Sequence, residues 1–217
     1  MEKAVFFDLD GTLLNTLADL RGAVNYVLEK RGLEPLTMEQ VRRYVGNGAV
    51  KLLLRALPEG QYDETALEDF KTWYNAHSRD ETKPYPGILP ALQTLKARGF
   101  RMAVLSNKPD WAVGALCRAY FGDLIEVAIG ERPDCPKKPA PDMLIRAAEE
   151  MGIPLGDVIY VGDSEVDVQT ARNAGIPCLS VLWGFRDREE IRAEGGSLFC
   201  GDPSLLVEKL EEMIRGK

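Results

Sequence analysis

From Pro86 onward the chain alternates short apolar runs with amphipathic stretches, without interruption. "ILPALQTLKARG" carries apolar residues at helical spacing and predicts a helix stopped by Gly99, and "FRMAVLS" behind it predicts a strand. A helix near Trp111–Tyr120, the strand "LIEVAIG", a helix over Asp142–Met151 closed by Gly152 and the strand "DVIYVGD" continue the series. The helical "VDVQTARNAG", ending at Gly175, and the strand "IPCLSVLWG" follow, and Ala4–Phe7 near the start is a further apolar run. Strands apolar along their whole length are buried on both faces, and strands joined through helices run parallel. The pattern predicts an α/β fold: a Rossmann-like parallel sheet with helices on both faces.

One block departs from the alternation. Leu17, Leu20, Val24, Val27 and Leu28 fall at helical spacing, and "TMEQVRRYV", "AVKLLLRAL" and "TALEDFKTWYNAH" are helical too, with no strand pattern between them. An all-helical domain over 16–83 is therefore expected inside an α/β domain made of 1–15 and 84–217, with hinges near Leu14–Leu17 and Pro84–Gly87.

The first apolar run ends in Asp8 and Asp10, with Gly11 and Thr12 directly behind. Side chains alternate along a strand, so the two carboxylates leave it on one side while Leu9 turns to the other. Like charges side by side need a divalent cation, a lysine or a retained proton to neutralise them. Ligands of open parallel sheets bind beyond the carboxyl ends of the strands. Ser106 and Asn107 follow "RMAVL", Asp163, Ser164 and Asp167 follow "VIYVG", and Lys138 lies in "KKPAPD" before a helix. All of them fall where such a crevice would form.

Bulk properties narrow the classes. A chain of 217 residues with 45% hydrophobic and 28% charged content buries an ordinary globular core. A formal net charge of -7 argues against nucleic-acid or anionic-membrane partners, and an anionic substrate would need positive charge gathered at its site. No apolar stretch reaches the length of a membrane span, and the start lacks a signal-peptide core. Cys117, Cys135, Cys178 and Cys200 are widely spaced, as in reduced thiols of a cytoplasmic protein. The single histidine, His77, cannot build a multi-histidine metal site.

Four stretches, "DLDGT" (Asp8–Thr12), "LSN" (Leu105–Asn107), "KPAPD" (Lys138–Asp142) and "GDSEVD" (Gly162–Asp167), resemble in order and spacing the haloacid dehalogenase superfamily, as does the helical insertion after the first strand. "YVGNG" (Tyr44–Gly48), "PYPG" (Pro84–Gly87) and "VLWGF" (Val181–Phe185) are similar to its phosphoglycolate phosphatase branch. The resemblance implies that Asp8 attacks a phosphomonoester to form an aspartyl-phosphate, while Asp10 acts as general acid and then base. Ser106 and Lys138 would hold the phosphoryl group, with backbone amides of Leu9, Asp10, Gly11 and Thr12 and the region of Asn107 around it. Mg²⁺ would be held by Asp8, the backbone carbonyl of Asp10, Asp163 and Asp167. The insertion becomes a cap that selects the substrate, with "RRYVGNGAVK" over the crevice and Arg42, Arg43, Gly46, Gly48 and Lys51 as its contact residues. The substrate expected is a small metabolite such as 2-phosphoglycolate; pyrophosphate, nucleoside monophosphates and sugar phosphates (by hydrolysis or as a mutase) stay open, as does a non-catalytic binding module. A monomer or homodimer is expected. Many relatives carry aspartate where this chain has Asn15.

Overall fold

The computed structural model describes residues 3–215. The chain opens with β1 (Lys3–Phe7), and a short β2 (Leu14–Asn15) leads into α1 (Leu17–Lys30), α2 (Met38–Tyr44), α3 (Ala49–Ala56) and α4 (Glu64–His77). β3 (Lys83–Pro84) returns it to α5 (Ile88–Ala97), β4 (Phe100–Pro109), α6 (Asp110–Phe121), β5 (Val127–Glu131), α7 (Asp142–Met151) and β6 (Val158–Gly162). α8 (Glu165–Ala174), β7 (Cys178–Val181), α9 (Arg188–Ala193), β8 (Leu198–Cys200) and α10 (Leu206–Arg215) complete it.

β1, β4, β5, β6, β7 and β8 form one sheet in the order β5-β4-β1-β6-β7-β8, and every neighbouring pair is parallel. The alternation of β1 explains its uniform apolarity. Val5 and Phe7 enter the core between one face and α5, α6 and α10, while Ala4 and Phe6 enter the core under α7 and α8 on the other. Both faces are thus spent on burial, at roughly 1.5–3 kcal/mol for each large side chain removed from water. Gly152 and Gly175 end α7 and α8 in the left-handed conformation, as expected of such helix stops. The strands are shorter than their apolar runs: Leu182 and Trp183 lie beyond β7, and Leu124 and Ile125 before β5. β8 and α10 extend the fold past the alternation read from the sequence.

The helical block leaves and rejoins the sheet domain through β2 and β3, which pair antiparallel, Leu14 opposite Pro84 and Asn15 opposite Lys83. α1 to α4 bury their own cluster, including Val24, Val27, Leu53, Phe70 and Tyr74, and Ala112 and Phe185 of the sheet domain join it. Two short paired legs and one shared apolar seam hold the block over the carboxyl ends of the strands. No helix of the described residues is long and apolar enough to cross a membrane.

Candidate active site

β4, β1 and β6 are adjacent at the middle of the sheet, and the loops beyond their carboxyl ends converge. Asp8 follows β1 directly, its amide bonded to the Val161 carbonyl of β6 at 2.8 Å. Gly11 turns the chain with a φ of 88° and passes so close to Asp163 that a Cβ would contact its carboxylate at an impossible 2.2 Å. Only glycine meets both conditions. Asp163 accepts from the Phe185 amide at 2.6 Å and from the Thr12 hydroxyl at 3.4 Å. Asp167, in the first turn of α8, accepts from the amide and hydroxyl of Ser164 at 3.1 and 2.7 Å.

Lys138 arrives from the loop before α7 and donates to Asp8 Oδ1 at 2.7 Å, Asp167 Oδ1 at 2.8 Å and the Tyr160 hydroxyl at 3.0 Å. Burial opposes its charge, but the Asp167 and Asp8 carboxylates outweigh burial and hold the ammonium well above its ordinary value. One lysine cannot balance the carboxylates around it. Oxygens of Asp8, Asp163 and Asp167, all buried, lie within 4.8 Å of one another. Burial pushes the Asp8 carboxyl up to about 7, with Lys138 pulling down and Asp167 and Asp10 pushing further up. Burial, then Asp8 and Asp167, drives Asp163 well above the usual carboxylate range. Hard oxygen donors short of positive charge fit a divalent cation.

Asp10 is engaged elsewhere: its Oδ1 accepts from the Thr16 hydroxyl at 2.6 Å and pairs with Lys108 Nζ at 3.0 Å. Sequence reasoning does not single out Lys108, because a lysine after a strand ordinarily faces water. Here the β4–β5 register shifts between Leu105 and Pro109, and Ser106, Asn107 and Lys108 inside that irregularity are all buried. Burial opposes the Lys108 charge, yet the Asp10 carboxylate keeps its ammonium above the ordinary value. Its Nζ lies 4.5 Å over the ring of Tyr74 from α4. The Lys108 amide bonds Ser106 Oγ at 3.2 Å, and Asn107 Nδ2 donates to the Lys138 carbonyl at 3.0 Å and the Gly46 carbonyl at 3.3 Å. The Tyr74 hydroxyl and Asn107 Oδ1 are buried without a hydrogen bond.

These groups line one cleft, walled on the helical side by Leu20, Leu52, Phe70 and Tyr74 and floored by Asp8, Asp10, Ser106, Lys138 and Asp163. Gly46 and Gly48 line it, as expected; a Cβ on Gly48, which has a φ of 85°, would come within 3.2 Å of the Asn107 carbonyl. The expected basic residues of the insertion lie outside it. Arg43 is 72% exposed and pairs with Glu39, Lys51 is exposed on α3, and Arg42 also pairs with Glu39. The cause is amphipathicity: α2 and α3 turn Val41, Leu52 and Leu53 inward, which carries their charges outward. Arg42 contributes its carbonyl instead, accepting from Arg186 at 2.9 Å, and Arg186 also donates to the Val45 carbonyl at 2.7 Å and to Glu165 at 3.1 Å. Arg186, unmarked in sequence reasoning, thus ties the helical block to the α8 end of the site. The Gly11 and Thr12 amides bond the Leu14 and Leu9 carbonyls, so they brace the turn rather than face the cleft. Leu9 is buried in the core. His77 lies at the end of α4, half exposed and paired with Asp80.

A family model described as haloacid dehalogenase-like hydrolase matches residues 5–181. The phosphoglycolate phosphatase of Pseudomonas putida is 35% identical over 225 aligned residues, covering 100% of this chain and 80% of its own length. That of Rhodobacter capsulatus is 36% identical over 86% of this chain and 87% of its own. Among solved structures, a provisionally assigned phosphoglycolate phosphatase from Lactobacillus delbrueckii subsp. bulgaricus superposes with a TM-score of 0.91 at 34% identity, covering 96% of this chain and 98% of that one. CbbY from Rhodobacter sphaeroides, in complex with phosphate, superposes with a TM-score of 0.81 at 25% identity, covering 97% and 100%.

Proposed function

The chain belongs to the haloacid dehalogenase-like hydrolases, and on that premise we propose that it is a phosphatase of small phosphomonoesters, with 2-phosphoglycolate as its principal substrate. The observation that carries the reading is the convergence of Asp8, Ser106, Lys138, Asp163 and Asp167 beyond three adjacent strands, on the floor of a cleft roofed by helices.

Lys138 fixes Asp8 through Oδ1, and the other carboxylate oxygen attacks phosphorus to give an aspartyl-phosphate. Asp10 protonates the leaving alkoxide and afterwards takes a proton from the water that hydrolyses the acyl phosphate. The Ser106 hydroxyl, the Lys138 ammonium and the amides of Leu9 and Asp10 stabilise the phosphoryl oxygens, so most of the catalysis is positioning and electrostatics. Asp8, Asp163, Asp167 and the Asp10 carbonyl would hold Mg²⁺, which when bound offsets the repulsion between an anionic nucleophile and an anionic phosphate. Residues 16–83 act as a cap that closes over the domain made of 1–15 and 84–217, excluding water around the reacting groups. With a net charge of -7 and four free cysteines, the protein is read as cytoplasmic, monomeric or homodimeric, and without nucleic-acid or membrane partners.

The test is phosphate release from 2-phosphoglycolate by the purified chain. Turnover with Mg²⁺ that EDTA abolishes and Mg²⁺ restores is expected. Undiminished turnover in EDTA would remove the cation from the reading, and no release from any phosphomonoester would remove the reading itself.

A further inference from the structure

The core of the site accounts for the phosphoryl group and leaves Lys108 and Tyr74, one on each side of the cleft, without a part in it. Lys108 is 6% exposed, lines the cleft and has three N–H donors, of which the Asp10 pairing uses one. The Tyr74 hydroxyl is on a side chain 2% exposed that also lines the cleft; the Lys108 ammonium lies beside it, but it makes no hydrogen bond of full geometry. The Lys108 ammonium stands over the Tyr74 ring at 4.5 Å, so both donors border the same small volume, one from the sheet domain and one from α4. A buried hydroxyl without a partner is costly to keep, and a ligand oxygen would satisfy it.

Taking the phosphatase reading as given, we infer that Lys108 and Tyr74 form a second anion subsite that takes the carboxylate of a short phosphorylated acid. One carboxylate oxygen accepts from the ammonium and the other from the phenol. The subsite is close to the reacting centre: Lys108 Nζ is 3.0 Å from the Asp10 carboxylate, the group that protonates the leaving oxygen. Only a short carbon chain spans from that oxygen to the ammonium. On the helical side, Leu20, Val45, Leu52 and Phe70 are apolar and supply no side-chain partners for the several hydroxyls of a sugar. Burying those hydroxyls unmet would count against a sugar phosphate. The substrate's second charge is therefore read by these two residues rather than by Arg42, Arg43 and Lys51, which lie outside the cleft.

The test compares 2-phosphoglycolate with ethyl phosphate, which is of similar length and lacks the carboxylate. Wild type should favour 2-phosphoglycolate in kcat/KM. Tyr74→Phe keeps the ring and removes only the hydroxyl, and it should lower kcat/KM for 2-phosphoglycolate by about tenfold, mostly through KM, while ethyl phosphate changes by less than about twofold. Lys108→Met should slow both substrates because it also unpairs Asp10, but 2-phosphoglycolate should lose about tenfold or more beyond the loss for ethyl phosphate. Equal losses for the two substrates in both variants would overturn the subsite while leaving the phosphatase reading standing. So would a wild type that hydrolyses both substrates equally well. A wild type that hydrolyses neither substrate but releases phosphate from another phosphomonoester would overturn the subsite alone, and no release from any phosphomonoester would overturn both readings together.

Discussion

Individual residues divide by whether their neighbours in sequence are also their neighbours in space. The places of Asp8, Asp10 and Asp163 just past apolar runs are legible in the sequence, and Asp167 follows in the first turn of the next helix. That of Lys108 is not, since its inward turn depends on a register shift against β5 that no local pattern encodes. Arg42, Arg43 and Lys51 lie outside the cleft for the opposite reason: charge marks the outer face of an amphipathic helix as readily as a binding site. Asp10 gives the cleanest prediction at this scale. Its carboxylate is absent from the cluster of Asp8, Asp163 and Asp167, so Asp10→Asn should slow the chemical step by a factor on the order of 10² to 10⁴ while Mg²⁺ affinity stays within a few fold. Single-turnover kinetics and metal titration check it; a matching loss of metal affinity would mean the side chain is a ligand.

The elements set the electrostatics by where they end. The loops after β1 and β6 bring Asp8 and Asp163 together under burial, and these carboxyls hold protons in the folded protein that the unfolded chain gives up near its value of 3.8. A folded value raised to about 7 means the stability from Asp8 is greatest below the unfolded value and falls as pH rises toward 7. A cation displaces those protons, so its binding strengthens over the same window. The rise in Tm on adding Mg²⁺ should grow between about pH 5 and about pH 8 at fixed ionic strength, read by calorimetry. A rise independent of pH would show that the cation binds away from Asp8 and Asp163. Most elements of the alternation are legible, through glycine helix stops and apolar runs, but α9, β8 and α10 are not. β8 has only three residues, too few to show a period.

At the scale of the whole molecule, the run of four helices between β2 and β3 is readable from the change of period near Thr16 and Pro84. How that run sits on the sheet is not, because an apolar face does not name its partner. Beside the paired legs and the apolar seam, Arg186 ties the contact: its fork reaches two carbonyls of the helical block while Glu165 holds it from the side of the site. Arg186→Ala should raise amide exchange across residues 42–48 and lower kcat/KM for 2-phosphoglycolate by about tenfold, with Arg186→Lys recovering only part, since an ammonium cannot fork. Unchanged exchange would show the block to be held without it. The proposed catalysis is covalent at Asp8, and rapid acid quenching during turnover of 2-phosphoglycolate, followed by mass analysis of the peptide that contains Asp8, tests this most directly. One phosphoryl group on Asp8, absent in Asp8→Asn together with turnover, is the predicted result; a phosphoryl group on another residue, or an Asp8→Asn enzyme that turns over unimpaired, would contradict it.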